Sequence, residues 1–272
     1  SDAHAGTTGL SDTMSPGSIA QLAQSADIAF RVRFDGAVPP KQKLYWRGPV
    51  MEQFDGTTWR PFVGRHPLPQ LESLSPPISY ETTLEAHNQR WLLALDAPTG
   101  LPSEISLNGQ LTAANRQVIN ERQRFRLSAS LDYRFNTRED PAVLQRNLAL
   151  PAGNNPKTLA LASQWRGDNA PEAIIKKALA LFANEFTYTL QPPLLGQNGV
   201  DEFLFQTQRG FCEHYAAAFV VLMRGAGIPA RVVGGYQGGE YNPLDSYLVV
   251  RQSDAHAWAE VWLDGRGWVR ID

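Results

Sequence analysis

The chain has 272 residues, with 25 Lys and Arg against 27 Asp and Glu, a formal net charge of -2 and a hydrophobic fraction of 43%. It has no Lys/Arg cluster, so the footprint of a nucleic-acid or anionic-membrane binder is missing, and it has no run of about 18 apolar residues to span a bilayer. The single cysteine excludes an internal disulfide, and no Cys/His grouping has zinc spacing, so neither metal nor cofactor is expected.

A length above roughly 150 residues predicts two domains. Residues 1–26 read as a polar, mobile lead-in with a short helix in which Ser15 is the cap and Pro16 lies in the first turn. The period then changes to two, and Ile28, Phe30, Val32 and Phe34 form the apolar face of a strand. Further strands are predicted in KLYWRGPVMEQFDG, PISYETTLEAH and RWLLALDA, in EISLNGQLTA with a turn at Asn108-Gly109, and in RFRLSASLDYRF. In the last of these, Phe125, Leu127, Ala129, Leu131, Tyr133 and Phe135 share one face. Residues 27–136 are thus an N-terminal β-sandwich or barrel-like domain, and the Pro- and Gly-rich residues 137–157 a linker.

From residue 158 to 272 the pattern is helices first, then antiparallel strands, an α+β arrangement. Ile175, Ala178, Leu179, Phe182 and Phe186 form a helical stripe that predicts core packing, and the segment QPPLLGQNGVDEF reads as a loop. A helix apolar nearly all round begins at Cys212 and stops at Gly227-Ile228-Pro229. Strands ARVVGGYQ, SYLVVRQ, AHAWAEVWL and GWVRID complete the chain.

A cysteine in the first turn of a helix lies where unpaired N–H groups and the macrodipole favour the thiolate, although inert burial is the commoner fate of a free cysteine. His214, two residues on, does not face it on a helix and reads as a cap-region hydrogen bonder. His256 is the better partner. Alternation puts His256, Trp258, Glu260 and Trp262 on one strand face, and a turn centred near Gly265 pairs Trp262 with Trp268 and Glu260 with Arg270. Asp272 then lands beside Trp258, within reach of His256. Cys212, His256 and Asp272 would be nucleophile, general base and orienting carboxylate of a papain-like triad. Backbone N–H groups at the helix start would hold the oxyanion, and Gly210 would let substrate backbone approach. Asp254 is a rival carboxylate, read as a loop or cap residue. Glu260 and Arg270 read as a cross-strand ion pair, and Trp258, Trp262 and Trp268 as packing residues.

The stretches RGFCEHYAAAFVVLMRGAGIPARVVGGYQGGEYNP and DAHAWAEVWLDGRGWVRID resemble the transglutaminase-like core over roughly residues 175–272. The shared motif is a Gly-x-Cys helix start, a His before Ala-Trp-x-Glu-Val, and an Asp shortly after Gly-Trp. PGSIAQLAQSADIAFRVRFDG and LYWRGPVMEQFDGTTW resemble the periplasmic segment of bacterial inner-membrane proteins that carry such a core between transmembrane helices. The resemblance implies a periplasmic enzyme that transfers the acyl group of a protein glutamine to a primary amine or water, near the cell wall, its full-length form anchored in the membrane by segments absent here. It places Cys212, His256 and Asp272 at the family's nucleophile, base and orienting positions, with Tyr188 as the candidate oxyanion-stabilising side chain. No EF-hand-like loop is present, so calcium independence is expected. A monomeric fragment is expected, its partners a glutamine donor and an amine acceptor. A cysteine peptidase or amidase acting on peptide or peptidoglycan-stem amides, and a non-catalytic cell-envelope module, stand as alternatives. The complete Cys/His/Asp set speaks against the module.

Overall fold

A computed structural model describes residues 9–167 and 170–272. The expected mobile lead-in lies outside the described residues over 1–8. From residue 9 on it is packed, not loose: Leu10 and Met14 are buried, and Met14 exchanges backbone hydrogen bonds with Trp59. The first helix, α1 (Ser18–Leu22), starts later than predicted, with Gly17 as its cap in the left-handed region. Ser15 instead closes the preceding turn, its carbonyl accepting from the N–H of Ser18.

Two sheets dominate. Their strands are β1 (Ile28–Phe34), β2 (Tyr45–Met51), β3 (Leu71–Ser73), β4 (Ile78–Leu84), β5 (Ala94–Leu95), β6 (Ala97–Gly100), β7 (Gln123–Ser130) and β8 (Tyr133–Phe135), followed by β9 (Ala230–Gln237), β10 (Glu240–Asn242), β11 (Tyr247–Arg251), β12 (Ala255–Leu263) and β13 (Gly267–Ile271). One sheet has the order β10-β11-β1-β4-β7-β6, the other β3-β8-β13-β12-β9-β2-β5. The fold is α+β, with a β-rich N-terminal part. Each sheet, however, draws on both halves of the chain: β11 pairs with β1 through Val32↔Leu248, and β2 pairs with β9 through Val232↔Met51.

The reason β2 can lie against β9 is visible at Gly235. A Cβ there would stand 2.0 Å from the Trp46 carbonyl oxygen and 2.8 Å from the Trp258 ring. The Gly234-Gly235 pair sits in a bulge that lets two backbones meet.

Three local expectations give way. RFRLSASLDYRF is two strands in two sheets, because the chain turns at Leu131-Asp132 and β8 leaves to run parallel to β13 at Phe135↔Gly267. Asn108-Gly109 does not form a two-residue turn, since strands Ile105–Leu107 and Ala113–Asn115 are joined by a longer loop. There the Asn108 side chain accepts from the N–H of Gln110 and Thr112. The segment 137–157, read as a linker, holds helix α2 (Pro141–Arg146), capped by Asp140, whose side chain accepts from the Ala142 N–H. It also contributes the buried Asn147 and Asn155.

Helices α3 (Pro156–Arg166) and α4 (Pro171–Glu185) each open on a proline, as the first turn allows. The expected loop after α4 contains a short helix, α5 (Gly199–Glu202), and a wide helical turn over Phe203–Thr207. The central helix α6 (Cys212–Gly225) ends as predicted: Gly227 takes φ +85°, and the Ile228 N–H reaches back to the Met223 carbonyl at 2.8 Å. Residues Phe219 to Met223 on α6 are buried, in one core shared with strands of both halves.

Candidate active site

Cys212 is the first residue of α6, which begins as soon as the extended Phe211 ends. The Phe211 N–H donates to His214 Nδ1 at 3.1 Å, so His214 is the hydrogen bonder of the helix start. Gly210 does not open a path for substrate. It is buried, and a Cβ on it would collide with the His214 side chain at 2.6 Å and the Phe203 ring at 2.7 Å.

Strands β12 and β13 pair in the expected register, with Trp262 opposite Trp268 and Glu260 opposite Arg270. The pairing carries Asp272 to His256, whose Nε2 lies 3.0 Å from each carboxylate oxygen. A residue that local pattern did not reveal completes this contact: Tyr45 on β2 donates its hydroxyl to Asp272 Oδ2 at 2.5 Å. Burial pushes the Asp272 carboxyl up, but the His256 bond and charge and the Tyr45 bond outweigh it and hold the group below its ordinary range. Asp254 is elsewhere, its carboxylate accepting from the Arg251 N–H at 2.9 Å, as expected of a cap.

Cys212, His256, Asp272 and Tyr188 line one cavity of about 450 Å³ between α4, α6 and the ends of β12 and β13. Its other wall is apolar and includes Leu179, Phe182, Phe186 and Phe219. The stripe on α4 thus serves two ends: Ile175 and Ala178 enter the core, Phe182 and Phe186 pack against it while also lining the cavity, and Leu179 faces the cavity.

Tyr188 is placed by a short parallel ladder in which Thr187 pairs with Arg209 and Tyr188 with Gly210. Its ring, 55% exposed, packs on Phe211 and Tyr215 with centroids at 4.8 and 5.7 Å. Its hydroxyl lies on the Cys212 side of the cavity, and burial followed by the Cys212 charge raises its pKa.

The thiol itself behaves differently from the sequence expectation. The helix start was expected to favour the thiolate. Cys212 is instead only 3% exposed, and burial, then the neighbouring Glu213 charge, push the thiol well above its ordinary range. The neighbouring Ala257 N–H and Tyr188 hydroxyl pull the other way without prevailing. The balance of these surroundings favours the neutral thiol.

Glu260 does not pair with Arg270. It is buried and accepts from Arg47 at 2.6 and 2.9 Å and from Arg231 at 3.1 Å, while Arg270 reaches Asp96 at 3.0 Å. The cluster continues through Glu52, which takes Arg231 at 3.2 Å and Arg146 at 3.1 Å. Arg47 comes from β2, so the strand that carries Tyr45 is also locked to β12 by charge. Trp258 is buried between the Tyr45 and His256 rings, and the indole N–H groups of Trp262 and Trp268 bond the Asn136 carbonyl and the Glu139 carboxylate. All three tryptophans pack. Among the described residues, no group of three or more His, Cys, Asp or Glu is arranged to hold a metal, and no helix is long and apolar enough to cross a membrane.

Residues 159–272 match the transglutaminase-like superfamily, and residues 1–136 the TgpA N-terminal domain. The chain is 44% identical over 272 residues to a protein-glutamine gamma-glutamyltransferase of Pseudomonas aeruginosa, covering 98% of this chain and 41% of that protein. It is 38% identical over 123 residues to the uncharacterized protein YebA of Bacillus subtilis, 43% of this chain and 17% of that one. The chain therefore spans about two fifths of the first relative and less of the second. The crystal structure of the periplasmic domain of TgpA from Pseudomonas aeruginosa superposes with a TM-score of 0.94 at 43% identity, covering 97% of this chain and 93% of that one. The same domain bound to ethylmercury gives 0.94 at 44%, covering 97% and 95%. With its fold, its cavity and both halves of its sequence accounted for, this chain belongs to the transglutaminase-like superfamily and carries a TgpA N-terminal domain.

Proposed function

We propose that this chain is the catalytic part of a protein-glutamine gamma-glutamyltransferase acting in the bacterial periplasm, with Cys212 as nucleophile, His256 as general base and Asp272 as the residue that orients it. The observation that carries the reading is the His256 ring, held at Nε2 by Asp272 and exposed to the cavity that also contains the only thiol of the chain. A carboxylate on Nε2 fixes the tautomer with the proton there and leaves Nδ1 as the basic nitrogen.

The reaction follows from this arrangement. His256 Nδ1 takes the Cys212 proton as Sγ attacks the side-chain amide carbon of a glutamine, and Asp272 stabilises the imidazolium. The Tyr188 hydroxyl and the N–H groups at the start of α6 stand where the oxyanion develops. Collapse expels ammonia, which carries away the proton held by His256, and leaves a thioester on Cys212. A primary amine then attacks, His256 takes its proton, and the thiol is released as the new amide forms. Water in place of the amine gives glutamate. The apolar wall of the cavity limits water around the thioester and supports transfer over hydrolysis.

The test is incubation of a glutamine-bearing protein with a labelled primary amine, comparing wild type with Cys212→Ala in the presence and absence of EDTA. Incorporation by wild type alone, unaffected by EDTA, is expected. Equal incorporation by both proteins refutes the triad, and ammonia release without incorporation makes the enzyme an amidase. Mercurials are thiol reagents, so ethylmercury, bound by the Pseudomonas domain, is expected to block wild type at one equivalent and to leave Cys212→Ala unlabelled.

A further inference from the structure

The residue after the nucleophile is a buried glutamate whose two oxygens have different partners. Glu213 Oε2 accepts from the backbone N–H groups of Ile19 at 2.7 Å and Ala20 at 3.0 Å, in the first turn of α1. Oε1 lies 3.8 Å from Cys212 Sγ, which donates its hydrogen to it. Side chains at successive helical positions ordinarily point apart. Here α1, from a segment nearly 200 positions earlier in the chain, holds the carboxylate back over the helix start, where it meets the sulfur.

A carboxylate has no place in the transfer steps above, and a fixed negative charge beside a group that must become negative opposes its ionisation. The other groups facing the sulfur do not share that effect equally. They are the Tyr188 hydroxyl, the Ala257 N–H and the Asp272 carboxylate, with the His256 ring lining the same cavity. Asp272 is the only one of like charge, and it is bonded to His256 and Tyr45. On the other side of Glu213, the His214 ring lies 4.0 Å from Oε1 and is turned toward the neutral form by burial. α1 carries no charged side chain. Glu213 is therefore the charge that meets the thiol most directly.

We propose that Glu213, pinned by the α1 amides, is a further residue of the nucleophile's machinery: it accepts the Cys212 hydrogen and keeps the resting enzyme as a neutral thiol, so that ionisation occurs only as the proton passes to His256. This rests on Cys212 being the nucleophile. It separates the site from those that store a thiolate–imidazolium pair, and it protects the one thiol of the chain from oxidants and stray electrophiles between turnovers.

Glu213→Gln tests it, because the Gln carbonyl can keep both α1 amide bonds while its NH₂ faces the sulfur. Alkylation of Cys212 by iodoacetamide is measured across pH by mass spectrometry in wild type, Glu213→Gln and Cys212→Ala. The midpoint is expected to fall by about 1–3 pH units in Glu213→Gln. A folded Glu213→Gln protein with an unmoved midpoint overturns the proposal and leaves Glu213 as a pin for α1 only. A second measurement needs no variant at Glu213. With one cysteine in the chain, the S–H stretch in the infrared belongs to Cys212 alone. Wild type at neutral pH is expected to show that band, lowered from the frequency of a free thiol. An absent or unshifted band overturns the proposal. Neither readout uses the transfer reaction, so both decide the role of Glu213 even if the amine-incorporation assay fails.

Discussion

Replacing Glu260 with glutamine tests the charge cluster that ties β2 to the strand bearing His256. Glu260 is 2% exposed, and its two oxygens serve Arg47 and Arg231, themselves buried. Burial alone would raise its pKa, but the two guanidinium charges and their hydrogen bonds bring it down from 4.5 to about 2. That depression corresponds to about 3 kcal/mol of folding stability above the unfolded carboxyl pKa. Removing the charge also leaves the buried Arg47 without a carboxylate, while Arg231 keeps Glu52, so the direct cost is about 3–5 kcal/mol. For a chain of this size the Tm at pH 7 falls by about 10 °C. The pH dependence has a definite sign. Because the folded pKa is depressed, the contribution is complete above about pH 5 and disappears as pH falls through about 2. Calorimetry or urea unfolding of both proteins from pH 7 to pH 2.5 should therefore show a gap that narrows toward acid. Asp272, also held below its ordinary range, is present in both proteins and cancels in the difference. A Tm change under about 2 °C, or a gap constant over that range, refutes the reasoning.

Asp272→Asn keeps the shape of the site but deprives His256 of its anionic partner, and kcat is expected to fall by about 10³–10⁴-fold in the amine-incorporation assay. A loss under about tenfold would mean that the carboxylate is dispensable. Tyr45→Phe removes a single hydrogen bond to Asp272, and steady-state kinetics should show a fall in kcat/KM of about 3–10-fold. Tyr188→Phe deletes the hydroxyl beside Sγ while keeping the ring on Phe211. It should lower kcat by about 10²-fold at unchanged KM, and an unchanged kcat would assign Tyr188 to stacking alone.

What could be read from the sequence was whatever depends on neighbours along the chain. The β12–β13 hairpin is local, so alternation and one turn were enough to bring Asp272 to His256. Helix α6 was equally plain, because its start, its uniform apolarity and its glycine stop all lie within one stretch. Tyr45 was invisible for the opposite reason: it reaches Asp272 only because β2 pairs with β9, and nothing in KLYWRG indicates a strand partner as far along the chain as Gln237. The same pairing supplies Arg47 and draws Glu260 away from Arg270, which lies opposite it in the ladder. Glu213 has no signature along the chain that sets it apart, and only the docking of α1 shows that it faces the thiol. The α4 stripe was real, but periodicity does not distinguish a core from a cavity wall.

The exchange of strands between the two sheets governs the order in which this protein is made. During synthesis β1 and β2 emerge long before β11 and β9, the partners that cover them, so the first half of the chain waits with unpaired edges. Pairings of such sequence separation are slow to form, and exposed edges in the interval invite association with other chains. A fragment that begins at the transglutaminase-like segment would lack β2, and with it Tyr45 and Arg47. The surroundings of Cys212 are thus complete only after the last strands have been threaded between the first.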